Sequence, residues 1–465
     1  MRSHLLKFYY DLRASYWFIP LIMVICAVIL SFVTVQIDRD VGVEWLRSIN
    51  WLYINQPDGA RAVLSTIAGS MITVAGVTFS MTMVSVSFAS SQFGPRLIGN
   101  FMRDQGNQLT LGTFIATFVY CLMVLRSVRT AESGPANASD LLTAFVPHLS
   151  LLCGLGLALA SVMVLIYFIH HIPETINISN ITASIGNELR RGIQKMFPEA
   201  IGEVAERKNL SEEEITKIFE DSVAISANHH GFIQTLDEKN LLKIAMNKEL
   251  VVRLEYRPGD FCTEQEILMH VAPAERIDEE IEDALRNCVA WGNERTSTQN
   301  IMFLVDQLLE MIARALSSGV NDPYTAMNCM NWLKCALAEL GGRAIPEYQR
   351  YDENNQLRVI AHPISFAHFA DTIFKDVRQY VAADRNATLH MMKIIADIGP
   401  SMTEEYKQIL LHHAEELHKS CQNQLRCESA KDEIMRRHEL VKYVFKNPHL
   451  RESLRDNQGW LGGGA

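Results

Sequence analysis

Four long apolar stretches crowd the first 170 residues, and after them the chain alternates charged and apolar positions as a water-facing protein does. Tyr16 to Val35 holds no charge, and about 20 residues at a 1.5 Å rise match the roughly 30 Å hydrocarbon core of a bilayer. This pattern predicts a first spanning helix at 16–35. Further spans are expected at about 62–90, 110–125 and 149–169. No span carries a central Asp, Glu, Lys or Arg, the usual marks of proton relays and voltage sensors.

The second span differs from the others in its Ser, Thr and Gly content. At helical spacing, Thr66, Ser70, Thr73, Ser80, Ser87 and Ser91 share one face with Gly69 and Gly76 at its edge, opposite Val63, Leu64, Ile67, Met71, Val74 and Met81. Small residues let helices approach closely, which makes the stripe a packing surface. Weakly polar hydroxyls also line cavities and pores, which makes it a pathway. The pattern alone leaves both open. Gly154 and Gly156 in the fourth span are further close-packing positions, and Tyr120, Tyr167 and Phe168 are expected at the interfacial belts.

Between the second and third spans, Gly94-Pro95 ends the helix, and Arg96 and Arg103 follow at the expected membrane surface. They serve there as interface anchors or as contacts to lipid phosphate. Arg2, Lys7 and Arg13 before the first span keep the N-terminus on the cytoplasmic side, and an even number of spans returns the chain to that side. The expected fold is therefore mainly α, with four transmembrane helices followed by a cytoplasmic α+β domain.

That domain divides into a helical connector at 171–222, a small β-containing module at 223–272 and a helical region at 273–465. Ser211 to Glu214 is a capping box. Gly231-Phe-Ile-Gln, Leu250 to Tyr256 and Pro258-Gly-Asp-Phe are strand and turn signals. From Thr298 to Leu316 the apolar residues keep helical spacing. Ser317-Ser318-Gly319 then stops the helix, and Asn321-Asp322-Pro323 caps and starts the next.

Composition narrows the chemistry. The net charge of −10 offers no basic surface for nucleic acid. Nine cysteines are scattered without a CxxC pair, so neither a disulfide framework nor a zinc site is indicated. His412, His413, Glu415, Glu416 and His418 share one late helix without a diagnostic metal spacing. No phosphate-binding loop, nucleophile elbow or cofactor motif occurs, and no catalytic residue is assigned.

Several strings together resemble an uncharacterised bacterial membrane-protein family, the domain of unknown function twenty-two fifty-four. They are Phe79 to Leu97, Asn100-Phe-Met-Arg-Asp104, Leu111-Gly-Thr-Phe, Gly231-Phe-Ile-Gln, Pro258-Gly-Asp-Phe, Arg295-Thr296 with Gln299, and Ala315 to Ala326 with Asn321 and Asp322. The resemblance implies a bacterial inner-membrane location and the same fold plan. Relatives usually follow Gln299 with an acid, where this chain has Asn300.

The expected function is a homo-oligomeric, channel-like protein for an ion or small solute, with the second span at the pathway and the cytoplasmic domain as gate. The alternative is a membrane-anchored sensor or scaffold whose cytoplasmic domain binds a ligand or protein. A membrane hydrolase would require Arg295, Asn321 and Asp322 to converge on one pocket.

Overall fold

The structure, a computed structural model, describes residues 15–41, 56–97, 99, 101, 104–129, 145–197 and 209–447. The described residues form two compact units that divide between Asn177 and Ile178. Arg103 lies outside them.

The first unit holds α1 (Phe18–Val41), α2 (Pro57–Phe93), α3 (Gln105–Ser127) and α4 (His148–Thr175). All four are long and apolar enough to cross a membrane. Helix α4 outruns the expected boundary at 170, because Pro173 lies inside it and His170 and His171 stay helical. Helix α3 is the hub, packing against the other three. Leu64, Phe114, Tyr120, Cys121, Val124 and Leu151 fill the core.

Polar side chains tie the hub to its neighbours. Tyr120 is fully buried, which corrects its expected place in the interfacial belt. Its hydroxyl donates to Ser150 O at 3.0 Å and lies 3.0 Å from Thr34 Oγ1, bridging α3 to α4 and α1. Phe168 is likewise buried, whereas Tyr167 is exposed. Thr117 and Ser161 pair at 3.1 Å between α3 and α4. Near the end of α1, Asp38 accepts from Leu149 N at 2.8 Å, Ser150 N at 2.9 Å and Ser150 Oγ at 2.7 Å, capping the start of α4. The first amides of a helix have no intrahelical acceptor, so a carboxylate there meets both the hydrogen-bond and the dipole demand.

The second unit begins with α5 (Ile178–Met196) and α6 (Glu212–Phe219), the latter opened by the expected Ser211–Glu214 capping box. A β-region follows, with β1 (Val223–Ser226), β2 (Gly231–Leu236), α7 (Glu238–Asn247), β3 (Val251–Leu254), β4 (Phe261–Cys262), β5 (Ile267–Ala272), α8 (Glu279–Arg286) and β6 (Val289–Gly292). Helices α9 (Ile301–Ala315) and α10 (Pro323–Gly341), strands β7 (Gln349–Tyr351) and β8 (Leu357–Ile360), and helices α11 (Phe366–Val381), α12 (Arg385–Ile398), α13 (Glu404–Gln424) and α14 (Glu428–Lys446) complete it.

Two sheets form, ordered β1-β5-β3-β8-β7 and β4-β2-β6. Strands β6, β7 and β8 lie in the stretch expected to be purely helical. They are three or four residues long, too short for alternation to show; β6 pairs with remote β2, while β7 and β8 form a local hairpin that reaches the sheet through β8. Strand β8 joins β3 in parallel about a hundred residues away. Short polar caps open the helices, as Asp278, Asn300, Asp322, Ser365, Asp384 and Thr403 all accept from the third amide, and the expected start at Asn321-Asp322-Pro323 is among them.

Replacing Asp38 by Ala orphans the first amides of α4. Thermal unfolding of the full chain in detergent micelles is expected to show a loss on the order of 2 kcal/mol. An unchanged melting curve would remove Asp38 from the account of how α1 and α4 are joined.

Candidate functional site

Helix α2 buries one side only. Ala60, Leu64, Ile67, Ala68, Met71, Ala75, Thr78, Thr82, Val86 and Ala89 face the unit. Thr66, Ser70, Thr73, Ser80, Ser87 and Ser91 lie diametrically opposite, and all six are exposed. A Cβ added at Gly69 or Gly76 would meet no atom within 4 Å. The helices of its own unit therefore do not cover the stripe, and packing within that unit does not explain it. Met81, expected on the apolar side, is 48% exposed.

Five of the six hydroxyls are answered locally. Thr66 donates to Ala62 O at 2.7 Å, Thr73 to Gly69 O and Ser80 to Gly76 O at 2.9 Å, Ser70 to Ile67 O at 2.9 Å and Ser91 to Phe88 O at 2.8 Å. Val77 and Val84, 62% and 69% exposed, sit within the stripe and were not singled out from sequence. With them the exposed positions read 66, 70, 73, 77, 80, 84, 87 and 91, an unbroken alternation of four- and three-residue steps. That is the heptad spacing of a helix seam, with hydroxyls at 66, 73, 80 and 87 and Ser, Val, Val and Ser at 70, 77, 84 and 91.

At the opposite end of α3 from Tyr120, Asp104 caps the helix by accepting from Asn107 N at 2.9 Å. It also meets His171 Nε2 at 2.9 Å, and Tyr167 stacks on the His171 ring at 5.0 Å. A Cβ at Gly106 would fall 2.5 Å from His171 Nε2, so only glycine admits this approach. Arg96 is exposed on the short 3-10 turn Pro95–Leu97 after α2.

In the second unit, Arg295, Thr296 and Gln299 gather on the segment between β6 and α9. Gln299 grips strand β2 twice, accepting from Leu236 N at 2.7 Å and donating to Leu236 O at 3.0 Å. Arg295 pairs with Asp306, one turn into α9. Burial, with the Asp306 carboxylate beside it, pushes Asp376 above the usual carboxylate range. Asn300 caps α9 through its oxygen, accepting from Phe303 N at 3.3 Å. Its Nδ2 is buried without a hydrogen-bond partner among the described residues, as are Arg295 Nε, Thr296 Oγ1 and Thr235 Oγ1. Gly259, at φ +101°, turns the chain beneath Asn300, and a Cβ there would stand 1.8 Å from Nδ2.

Asn321 and Asp322 do not join this group. Asp322 N bonds Ala315 O at the far end of α9, nine residues and about 14 Å of helix rise beyond Asp306. Asp322 caps α10 through Thr325 N at 3.1 Å and Thr325 Oγ1 at 2.6 Å, and Asn321 takes the left-handed φ of +50° that closes the turn. The convergence that a hydrolase would require is absent. Among the described residues no three His, Cys, Asp or Glu side chains are placed to hold a metal.

The family described as "Predicted membrane protein (DUF2254)" matches residues 13–397. The chain belongs to this family. An uncharacterised protein of Mycobacterium bovis and one of Mycobacterium tuberculosis are each 29% identical over 363 residues, covering 77% of this chain and 67% of theirs. No solved structure matches. Of the strings that carry the family resemblance, Gly231-Phe-Ile-Gln, Pro258-Gly-Asp-Phe and Arg295 to Gln299 build the one junction just described, while Ala315 to Ala326 builds the turn at the other end of α9. The match ends before α13 and α14.

Gly259→Ala is expected to cost on the order of 1–3 kcal/mol through its positive φ and the clash with Asn300, read as a lower melting temperature of the full chain. A neutral outcome would mean that the turn is not held against α9. A pH effect should arise at His413, which is 1% exposed. Its ring stacks on Phe374 and its Nε2 lies 3.1 Å from Asp371. Burial pushes this His from 6.5 down to about 4. The unfolded chain therefore binds the proton more readily, and stability should fall as pH drops from about 6.5 toward 4 and level off below. His413→Gln should flatten part of that decline in melting experiments, and an equal decline in the variant would exclude His413 as its source.

Proposed function

We propose that the chain is one subunit of a homo-oligomeric, channel-like protein of the bacterial inner membrane. Helices α2 from several copies meet along the exposed heptad seam and surround the pathway, and the second unit, on the cytoplasmic side, gates it. The single observation that carries the reading is the seam itself. Eight consecutive heptad positions are exposed, small or β-branched, and opposite the side that α2 buries.

Alternating three- and four-residue steps are what parallel helices need to stay in contact over many turns. Small side chains leave room at the shared axis. Back-bonded hydroxyls keep lone pairs free to meet water or a passing ion without holding it tightly. Val77 and Val84 then form the narrow apolar positions where such a path closes by dewetting. The absence of a central charge in the spans fits passive conduction better than ion-coupled pumping.

The alternative, an anchored sensor or scaffold, draws on the buried donors of Arg295 and Asn300 that find no partner among the described residues. A ligand or protein that presents acceptors to that junction would answer them.

Two measurements test the leading reading. Thr73→Cys and Ser80→Cys should form disulfide-linked dimers in membranes under mild oxidation and, unoxidised, react with small water-soluble thiol reagents. Ile72→Cys on the lipid-facing flank should do neither. In liposomes carrying the full chain, Ser80→Phe should abolish ion or solute flux and Val84→Ser should raise it. Cross-linking without flux would leave an assembly with no pathway, and neither would end the proposal in favour of the sensor or scaffold.

A further inference from the structure

We propose that the turn joining α9 to α10, with Val320 and Tyr324 at its tip, beds into the lipid interface of the leaflet from which the last span emerges. The inference is independent of whether α2 lines a pathway.

The turn is built to hold its tip outward. Ser317 Oγ donates to Arg314 O at 2.6 Å, Asn321 N to Ser317 O at 2.9 Å and Asp322 N to Ala315 O at 2.7 Å. On this fixed frame Val320 is 49% exposed and Tyr324 75% exposed, among the most exposed large apolar side chains of the second unit. A rigid turn that spends its hydrogen bonds internally and shows an apolar tip gains nothing from water.

The register of α5 against α10 fixes where that tip lies along the bundle. Asn328 Nδ2 donates to Thr182 Oγ1 at 3.0 Å, Gln194 Nε2 to Glu339 Oε1 at 3.3 Å and Arg343 Nη1 to Phe197 O at 2.9 Å, at sequence separations of 146, 145 and 146. A Cβ on Gly186 would stand 2.3 Å from the Trp332 ring, in the same register. The two helices thus run parallel, and the register carried back one turn sets Tyr324 level with Ile178. Ile178 is three residues beyond Thr175, the end of the last candidate span. Three residues reach at most about 11 Å. The turn therefore stands at the end of the unit where the chain arrives from the membrane.

Charge marks the same end. Residues 175–187 and 315–333 contain a single Asp, Glu, Lys or Arg, Asp322, in a chain that is 21% charged. The Asp322 carboxylate is occupied by its cap on α10. A tyrosine with an apolar body and a polar tip suits the headgroup boundary, where both ends are satisfied. With no Lys or Arg in either stretch, the attachment is apolar and indifferent to lipid charge.

The test uses the full-length protein in vesicles of phosphatidylcholine alone or mixed with phosphatidylglycerol. Exposed Cys26, Cys335 and Cys427 are replaced by Ser, and a nitroxide is attached at Val320→Cys, at Tyr324→Cys, or at Lys248→Cys as a water-exposed control. Collisions with oxygen, which concentrates in hydrocarbon, are compared with collisions with a water-soluble nickel chelate. The labels at 320 and 324 should favour oxygen several-fold over the control, equally in both lipids and at high salt. Labels matching the control would place the turn in water and overturn the proposal. Shielding from both quenchers would mean that protein covers the turn, and shielding only in the anionic lipid would mean adsorption by charge. Each of these also overturns it.

Discussion

The hydrocarbon of a bilayer offers no hydrogen-bond partner, so each polar group on the four apolar helices must be answered by the chain itself. That constraint organises the first unit. Asp38 reaches from α1 to the open amides of α4, and Tyr120 spends its hydroxyl between Ser150 and Thr34. Both interactions meet near Ser150, so α1, α3 and α4 are pinned at one level. At the other end of α3, Asp104 answers the helix amides and His171 together. Helix α2 contributes little to these ties. Arg61 donates to Val128 O at 3.1 Å near its start, and beyond that it is held by apolar contacts along one side, while five of the six stripe hydroxyls donate to its own carbonyls.

The proposed assembly through α2 draws on its outer side. A stripe in which five of six hydroxyls are already back-bonded can be separated from a partner helix, or wetted, with little loss of hydrogen bonding. Larger side chains at the seam would gain more contact area but would seal the axis. Hydroxyls alone would give a wetter and weaker seam. The observed mixture, hydroxyls along one line of the heptad and two valines centred on the other, lies between these limits.

Much of this was legible in the sequence, and the exceptions have physical causes. The spans, the helix caps and the hydroxyl stripe are local patterns with periods of a few residues, and they read directly. Tyr120 was misplaced because a tyrosine near a span end has the same local pattern whether its hydroxyl meets headgroups or a buried carbonyl on another helix. The β-region extends past the expected end at 272 because β6 and β8 are fixed by remote partners, and the short hairpin of β7 with β8 is too brief for alternation to show. The pairing of Arg295 with Asp306 and the approach of Gly259 to Asn300 are likewise tertiary. The only sequence signal for that junction was that its strings recur together in the family resemblance. Val77 and Val84 were passed over because they are apolar in an apolar span, and only their exposure opposite the buried side of α2 gives them a role.

The union of α5 and α10 bears on how the second unit could influence the first. Helix α5 begins at Ile178, three residues after the last candidate span ends at Thr175, and it is clamped to α10 from Thr182 to Phe197 by a constant register, with Trp332 against Gly186 leaving no room to slide. Interiors packed this tightly move as bodies rather than deform. A displacement at Ile178 is therefore a displacement of α10, and of α9 packed beside it. Through α9 it extends to the junction where Gln299 grips β2 and Arg295 pairs with Asp306. An event at that junction, such as a ligand answering the open donors of Arg295 and Asn300, acts on the same body. In the proposed gating, the coupling is a bias between two positions of α5, its size set by how differently an event at the junction favours the two.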